Sequence, residues 1–470
     1  MSLPASAADV CNWTKGKLIQ GNESQTFDAT VIDSREVRAE SLFVAIVGPN
    51  HDAHRFVAKV LEQGAAGVIV STDPAAISSP GDPMPSGGFV VRVNDTTRAL
   101  ADLAHGHRQS FQGPLIGITG SNGKTTTKDL CAEILQGVGT TLATRGNLNN
   151  NFGVPLTLLR RSGATEFAII EMGMNHRGEI ATLTEIAEPN IGILTNVGSA
   201  HIEFLGSREA IAEEKGDLLA SLPAVGTAVV GRDDPRAFAQ AKRSAARVLS
   251  FGRDPKADLC ASRIRAHNDG TFSFQLESPF GRDELHVTGL AETIIENALA
   301  AAGGAFAAGA SMTAVANGLA KHQGVPGRMQ PRSLPNDVLV IDDSYNANPQ
   351  SMQIALDTLA RLETSGRRLA VLGDMGELGD QGVSAHHDAG RLAGSLDLDG
   401  LFLVGSMAEH VAAGAAEAGL AKERIHLEED HDALARKLEE IMAKGDLILV
   451  KGSRAARMER IIESIEERSQ

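Results

Sequence analysis

"PLIGITGSNGKTTTKDLCAEIL", residues 114 to 135, decides the fold. An apolar run, "LIGIT", ends in a turn holding Gly120 and Gly123, after which apolar side chains recur at Leu130, Ile134 and Val138, the spacing of one helix face. That pattern predicts strand, glycine turn and helix, an arrangement that points N–H groups of the turn and of the first helical turn at phosphate oxygens. Gly120, Ser121, Asn122, Gly123, Lys124, Thr125 and Thr126 are the candidate triphosphate loop, with Lys124 as a point charge and the Thr125 hydroxyl as a Mg²⁺ ligand. A strict P-loop carries one more glycine five residues before its Gly-Lys pair, and Ile118 stands there instead.

Outward from this unit, "FAIIEM", "IGILTNV" and "GTAVVG" alternate with helical spacing, which predicts a P-loop-type, doubly wound and mostly parallel sheet. The more polar "LCASRIRAHNDGTFSFQLESPFGRDELHVTGL" reads as an antiparallel meander appended to it, closed by the turn "HQGVPGR" at 322 to 328. Four later apolar runs, "DVLVIDDSY", "RRLAVLGDM", "GLFLVG" and "GDLILVKGS", predict a C-terminal Rossmann-like α/β domain. Upstream, "SLFVAIVG", "GVIV" and "GFVVRV" predict a smaller N-terminal α/β domain, with "STDPAAISSPGDPMPSGG" as a surface excursion. The expected class is α/β in three domains: 1–112, 113–326 and 327–470.

Against 44 basic side chains stand 59 acidic ones, a net charge of −15 that repels phosphate backbones and anionic lipid. Neither nucleic acid nor membrane is an expected partner. Cys11, Cys131 and Cys260 are too few and too widely spaced for a disulfide framework or a metal knuckle, and "MSLPASAADV" lacks the features of an export signal. A cytoplasmic location is expected. The uncharged stretch from Asn297 to Ala320 is long enough to span a bilayer, but its Ala and Gly content favours two close-packed helices.

Three residues of the central region suit charge neutralisation around a phosphoryl group. Glu171 follows the strand "FAII" at the carboxyl end where open α/β sheets bind ligands, and reads either as a hard Mg²⁺ ligand or as a capping acid. His201, after "IGILTNV" and a short turn, reads either as a ligand or as a plain polar contact. Lys215, in "EEKGD", reads by itself as a solvated helix lysine.

"TGSNGKTTTK" resembles the shortened ATP loop of the Mur ligases of peptidoglycan precursor synthesis. The likeness extends through "GNLNNNFGVPLTLL", "IIEMGMNHRGEI", "TNVGSAHIEFLGSREAIAEEKGDLL", "IDDSYNANPQSM", "VLGDMGELGD" and "VKGSRAARME", nearly the whole chain. It implies an ATP- and Mg²⁺-dependent amide ligase that joins D-alanyl-D-alanine to UDP-N-acetylmuramoyl-tripeptide through an acyl phosphate. The implied domain roles are muramoyl-nucleotide binding, ATP binding, and closure over ATP with dipeptide binding. A monomer is expected.

Residue by residue, the resemblance makes Glu171, His201 and a carbamylated Lys215 metal-binding, with Lys124, His201 and Lys215 catalytic, and gives Asn196 a place in the same motif. Arg328 and Asp343 fall at positions that face the nucleotide, and Asn297 at one that contacts adenine. Ser34 and Arg35 are implied in uridine-diphosphate binding, and Lys451, Ser453 and Arg454 in the acceptor wall, with His386 near the dipeptide; the amides of Asn147, Asn149 and Asn150 read either as substrate contacts or as loop stabilisers. Tyr345, the sole tyrosine, shares a motif with Asp343. The chain departs from the family at "TIIENALAA", where Thr293 and Ile294 replace an expected His and Asn. Other readings stay open: a different Mur-type ligase, a P-loop phosphotransferase, and a binding protein with a dead site.

Overall fold

In a computed structural model, residues 4–72, 85–267, 269–334 and 337–468 are described. The expected excursion at 71–88 lies mostly outside them. Three sheets carry the chain. The central one has nine strands in the order 141–143, 167–171, 115–119, 191–194, 227–231, 247–252, 259–266, 271–278 and 281–288, parallel as far as 259–266 and antiparallel beyond. The sheet and its appended meander follow the apolar runs read from the sequence. Strand Leu115–Thr119 sits between Phe167–Glu171 and Ile191–Leu194, so the chain reverses direction across the sheet beside it and leaves a crevice at its carboxyl end.

Helix Lys124–Gln136 leaves that crevice and buries Leu130 and Ile134 fully. Val138 does not join them: the helix ends two residues earlier and Val138 is 45 % exposed. The uncharged stretch forms helices Ile294–Ala307 and Met312–Ala320. Their glycines are packing devices. A Cβ on Gly303 would stand 2.7 Å from Val229 Cγ1, one on Gly304 2.7 Å from Ile193 Cδ1, and one on Gly318 2.4 Å from Ile134 Cα, so only small residues let these helices lie so close to the sheet and its first helix. Among the described residues no helix is long and apolar enough to cross a membrane.

The third sheet runs 330–334, 338–343, 447–451, 368–372, 400–404 and 425–428, parallel except for its first strand. Its edge strands Gln330–Leu334 and Ile425–Glu428 lacked a clear apolar pattern, since edge positions are only partly buried. The first sheet orders 17–20, 89–92, 67–70, 41–44 and 29–31, with only the first strand antiparallel.

Helix Thr96–Arg108 ties the first sheet to the central one. Arg108 donates from Nε to Ala187 O (2.7 Å) and from a terminal nitrogen to Glu188 O (2.8 Å), placing a cation on the carbonyl end of helix Glu179–Ala187. His107 beside it is buried, and desolvation, reinforced by the Arg161 guanidinium, pulls its pKa down to about 4. The unfolded chain takes up this proton near pH 6.5 while the folded one refuses it. The contribution is therefore intact above pH 6.5 and is lost as pH falls toward 4, by about 3 kcal/mol. Urea unfolding at pH 7 and pH 4.5 is expected to show this loss, and His107→Gln to flatten it; an unchanged slope in the variant would discard the assignment.

Candidate active site

A cleft of about 1700 Å³ opens between the central and C-terminal sheets. Its walls include Ser121 to Thr126, Asn147, Asn149, Glu171, His201 and Asn297 on one side, and Arg328, Asp343, Tyr345, Lys451, Ser453 and Arg454 on the other. Parallel strands all present their carboxyl ends in one direction, which is why residues far apart in sequence meet here.

The glycine loop is held from below. Gly120 (φ +152°) lies against Thr195, where a Cβ would approach Oγ1 to 1.8 Å, and Gly123 (φ +80°) lies against Asn297, where it would approach Oδ1 to 2.1 Å. Both positions need glycine for conformation and for space. Ser121 N–H donates to Asn196 O (2.9 Å), and Asn122 N–H to Asn196 Oδ1 (2.9 Å). Asn196 Nδ2 and Thr195 Oγ1 both donate to Asn122 O, at 3.0 and 2.7 Å. The Ser121 and Asn122 amides of the loop are thus spent inside the protein. The anion-facing donors shift to the start of helix Lys124–Gln136, whose first turn has no intrahelical acceptor for its N–H groups. Gly120 itself supports the loop from outside the cleft lining. Lys124 Nζ donates to Gly120 O (2.8 Å) and reaches Ser121 O (3.5 Å); burial lowers its pKa, opposed by the Glu171 charge and reinforced by Arg328.

Glu171 is 1 % exposed; its Oε1 accepts from Asn149 Nδ2 (2.8 Å), while Oε2 is buried without a hydrogen-bond partner. Such an oxygen suits a hard cation, and Thr125 lines the same cleft. Among the described residues no three His, Cys, Asp or Glu side chains converge as a metal cage, so Mg²⁺ here would draw its other ligands from water and phosphate oxygens, as that ion commonly does. His201, at φ +66°, brings Nδ1 to 2.5 Å from Glu377 Oε2. The imidazole holds the Glu377 carboxyl below the usual carboxylate range.

Lys215 is 1 % exposed, not a solvated helix lysine, and lies behind the cleft lining. Desolvation first, and then repulsion from Lys124, pushes its ammonium well below the ordinary lysine range, with Glu214 opposing. A lysine so placed readily holds a neutral amine.

On the opposite wall the Arg328 guanidinium stacks over Tyr345 at 4.1 Å, and Arg454 approaches the same ring at 5.9 Å. Asp343 and Lys451, paired across adjacent strands, meet at 2.5 Å. Lys451 Nζ also donates to Asn346 O (2.9 Å), and Met329 N–H to Asp343 Oδ1 (3.1 Å). Thr293 and Ile294 line the cleft, so the departure from the family pattern falls on its wall.

Four expected contacts lie elsewhere. Arg35 pairs with Asp33, its side chain 87 % exposed, and neither it nor Ser34 lines the cleft. Asn150 Oδ1 accepts from Phe152 N (3.2 Å) and Gly153 N (2.9 Å), capping the next helix rather than facing the cleft. His386 is buried with both ring nitrogens on backbone, Met375 N at 2.8 Å and Gly382 O at 2.7 Å, so it braces the loop before Glu377. Glu377 and Asn348 were the residues that sequence reasoning missed; both stood inside quoted motifs, but nothing local indicates what they touch.

Two family models match the chain: the Mur ligase middle domain over residues 118–305 and the Mur ligase, glutamate ligase domain over 327–454. It is similar to the UDP-N-acetylmuramoyl-tripeptide–D-alanyl-D-alanine ligase of Escherichia coli K12, with 36 % identity over 94 % of each chain. The crystal structure of MurF from Acinetobacter baumannii superposes with a TM-score of 0.89 at 31 % identity over 99 % of each chain. The MurF ligase of Thermotoga maritima in complex with ADP gives 0.80 at 30 % identity, over 94 % of this chain and 97 % of that one. A glycine loop seated beneath one wall of a two-domain cleft, with full-length likeness to these enzymes, places the chain in the Mur ligase family.

Proposed function

We propose that this chain is an ATP-dependent amide ligase that joins D-alanyl-D-alanine to UDP-N-acetylmuramoyl-tripeptide, giving the UDP-muramoyl-pentapeptide, ADP and phosphate. The observation that carries the reading is one cleft in which the loop from Ser121 to Thr126 and the spare Glu171 oxygen face Arg328 and the Asp343–Lys451 pair. A free carboxylate resists an amine because its carbon is a poor electrophile. Transfer of the γ-phosphoryl group to the tripeptide's terminal carboxylate gives an acyl phosphate and ADP; the dipeptide amine then adds to the carbonyl carbon, and the tetrahedral adduct expels phosphate as the amide forms.

Such transfer between anions is governed by charge placement. Lys124 and the first N–H groups of its helix steady the terminal phosphate, and Arg328 swings from Tyr345 to the phosphates. Glu171, Thr125 and His201 would hold Mg²⁺, which would supply neutralisation of the phosphate charge. Lys215, buried and inclined to neutrality, would take up CO₂ as a carbamate with loss of a proton, and that carboxylate would join the groups able to hold the ion. Asn297 reads adenine, and Asn147, Ser453 and Lys451 border the acceptor. Residues 1–112, with Ser34 and Arg35, bind the uridine diphosphate, 113–326 bind ATP, and 327–470 close over it. The working form is a cytoplasmic monomer.

Product mass tests this. With ATP, Mg²⁺, dipeptide and UDP-tripeptide together, the uridylated product is expected to grow by one dipeptide less water, with phosphate release requiring both acceptor and donor. Phosphate left on the tripeptide would identify a kinase, and release without either substrate a hydrolase.

A further inference from the structure

Asn122, at the centre of the nucleotide loop, has both ends of its side chain engaged from across the cleft. Its Oδ1 accepts from Asn348 Nδ2 (2.8 Å), and its Nδ2 donates to Gln350 Oε1 (3.4 Å). Asn348 is 8 % exposed and serves a second purpose: its Oδ1 accepts from Ser351 N (2.9 Å), its own N–H donates to Ser351 Oγ (3.0 Å), and Pro349 follows, a capping box for helix Pro349–Arg361. With the oxygen committed to the cap, the Asn348 amide has one orientation, so Nδ2 can only point at the loop. Room for Gln350 comes from Gly198, where a Cβ would fall 1.8 Å from Gln350 Oε1. From Asn122 the contacts continue downward, through its peptide N–H and carbonyl, to Asn196 and Thr195.

We infer that Asn348, assisted by Gln350, is a positioning residue for phosphoryl transfer: docking of the C-terminal sheet's first helix fixes Asn122, and with it the peptide groups that aim the start of helix Lys124–Gln136 and Lys124 at the phosphate. The loop is then set for chemistry only when the C-terminal unit is seated. Binding of the nucleotide needs the anion-facing donors alone, whereas the transition state needs them placed to fractions of an ångström. Losing the bridge therefore acts on kcat more than on KM. This rests on the nucleotide-loop reading of residues 120 to 126.

Serine caps a helix about as well as asparagine but is too short to reach Asn122. Asn348→Ser is expected to keep the thermal midpoint, to lower kcat about tenfold, the loss that follows from one well-placed hydrogen bond, and to change KM for ATP less than twofold. Asn348→Ala should show the same kinetic split and, in addition, a lower midpoint. Gly198→Ala, which displaces the Gln350 side chain, should lower kcat in the same direction. In a double-mutant cycle, Asn122→Ser with Asn348→Ser should be no slower than the worse single variant. Wild-type kcat in Asn348→Ser, a rise in KM alone, or strictly additive losses in the cycle would each overturn the inference. Should Lys124→Ala be inactive in the same series, the nucleotide loop stands and only the bridge falls; should Lys124→Ala remain active, the loop reading itself falls.

Discussion

Lys124→Ala is expected to lower the rate of phosphate release, with both peptide substrates saturating, by about a thousandfold. The ammonium is folded over the loop, donating to Gly120 O at 2.8 Å, so little freedom remains to be lost when a phosphate arrives. Its pKa is depressed by burial, which marks a cation short of counter-charge; Glu171 opposes that shift and Arg328 adds to it. On the proposed reading a triphosphate supplies the missing charge, and most of the gain is realised as negative charge moves between the bridging and terminal oxygens. Lys124→Arg is not expected to rescue, because a planar fork cannot replace a compact ammonium in that turn. The fold should survive, since the side chain's hydrogen bonds are to two carbonyls of its own loop, Gly120 O and Ser121 O. Circular dichroism matched to wild type, with less than a hundredth of the turnover, is the expected pair of results; retention of a tenth of the rate would remove Lys124 from the chemistry.

The second large effect is on stability. Lys451→Met is expected to destabilise the C-terminal unit by about 3 to 5 kcal/mol at pH 8, the usual consequence of stranding a buried charge. Lys451 is 1 % exposed and its chief partner is Asp343, at 2.5 Å. Burial already raises the Asp343 pKa, with the Lys451 ammonium and then the Met329 N–H holding it back. Without Lys451 the carboxyl rises further. A carboxyl whose folded pKa exceeds its unfolded value contributes stability below the unfolded value and loses it as pH rises through the folded one. The deficit of the variant should therefore be smaller at pH 5 than at pH 8. Adding Asp343→Asn should recover much of it at pH 8. Urea midpoints for the C-terminal transition would decide: equal midpoints at pH 8, or no recovery in the double variant, would contradict the pairing.

Much of the fold was legible because strands in a covered parallel sheet are apolar along their whole length. "LIGIT" coincides with its strand, "FAIIEM" and "GDLILVKGS" overrun theirs by one or two residues at an end, and "RRLAVLGDM" runs on past Leu372 to Met375. Edge strands such as Lys17–Gln20 and Ile425–Glu428 were missed for the opposite reason: they face water on one side and carry mixed residues. Val138 was misplaced because helical spacing continues on paper past Gly137, where the helix stops.

The site divides differently. That Gly120 and Gly123 make a tight turn ahead of Lys124, and that a helix follows it, comes from each residue and its immediate neighbours. Local stereochemistry acts over a few bonds, so the letters determined it. Only the tertiary structure decided that the Ser121 and Asn122 amides are consumed by Asn196, that Glu171 keeps an unpartnered oxygen, and that Lys215 is sealed from water. It alone brought Asn348 to the glycine loop 226 positions away. Desolvation and hydrogen bonding depend on what packs against a group, and here those neighbours come from other strands and another sheet, so their identity is set by the assembled fold.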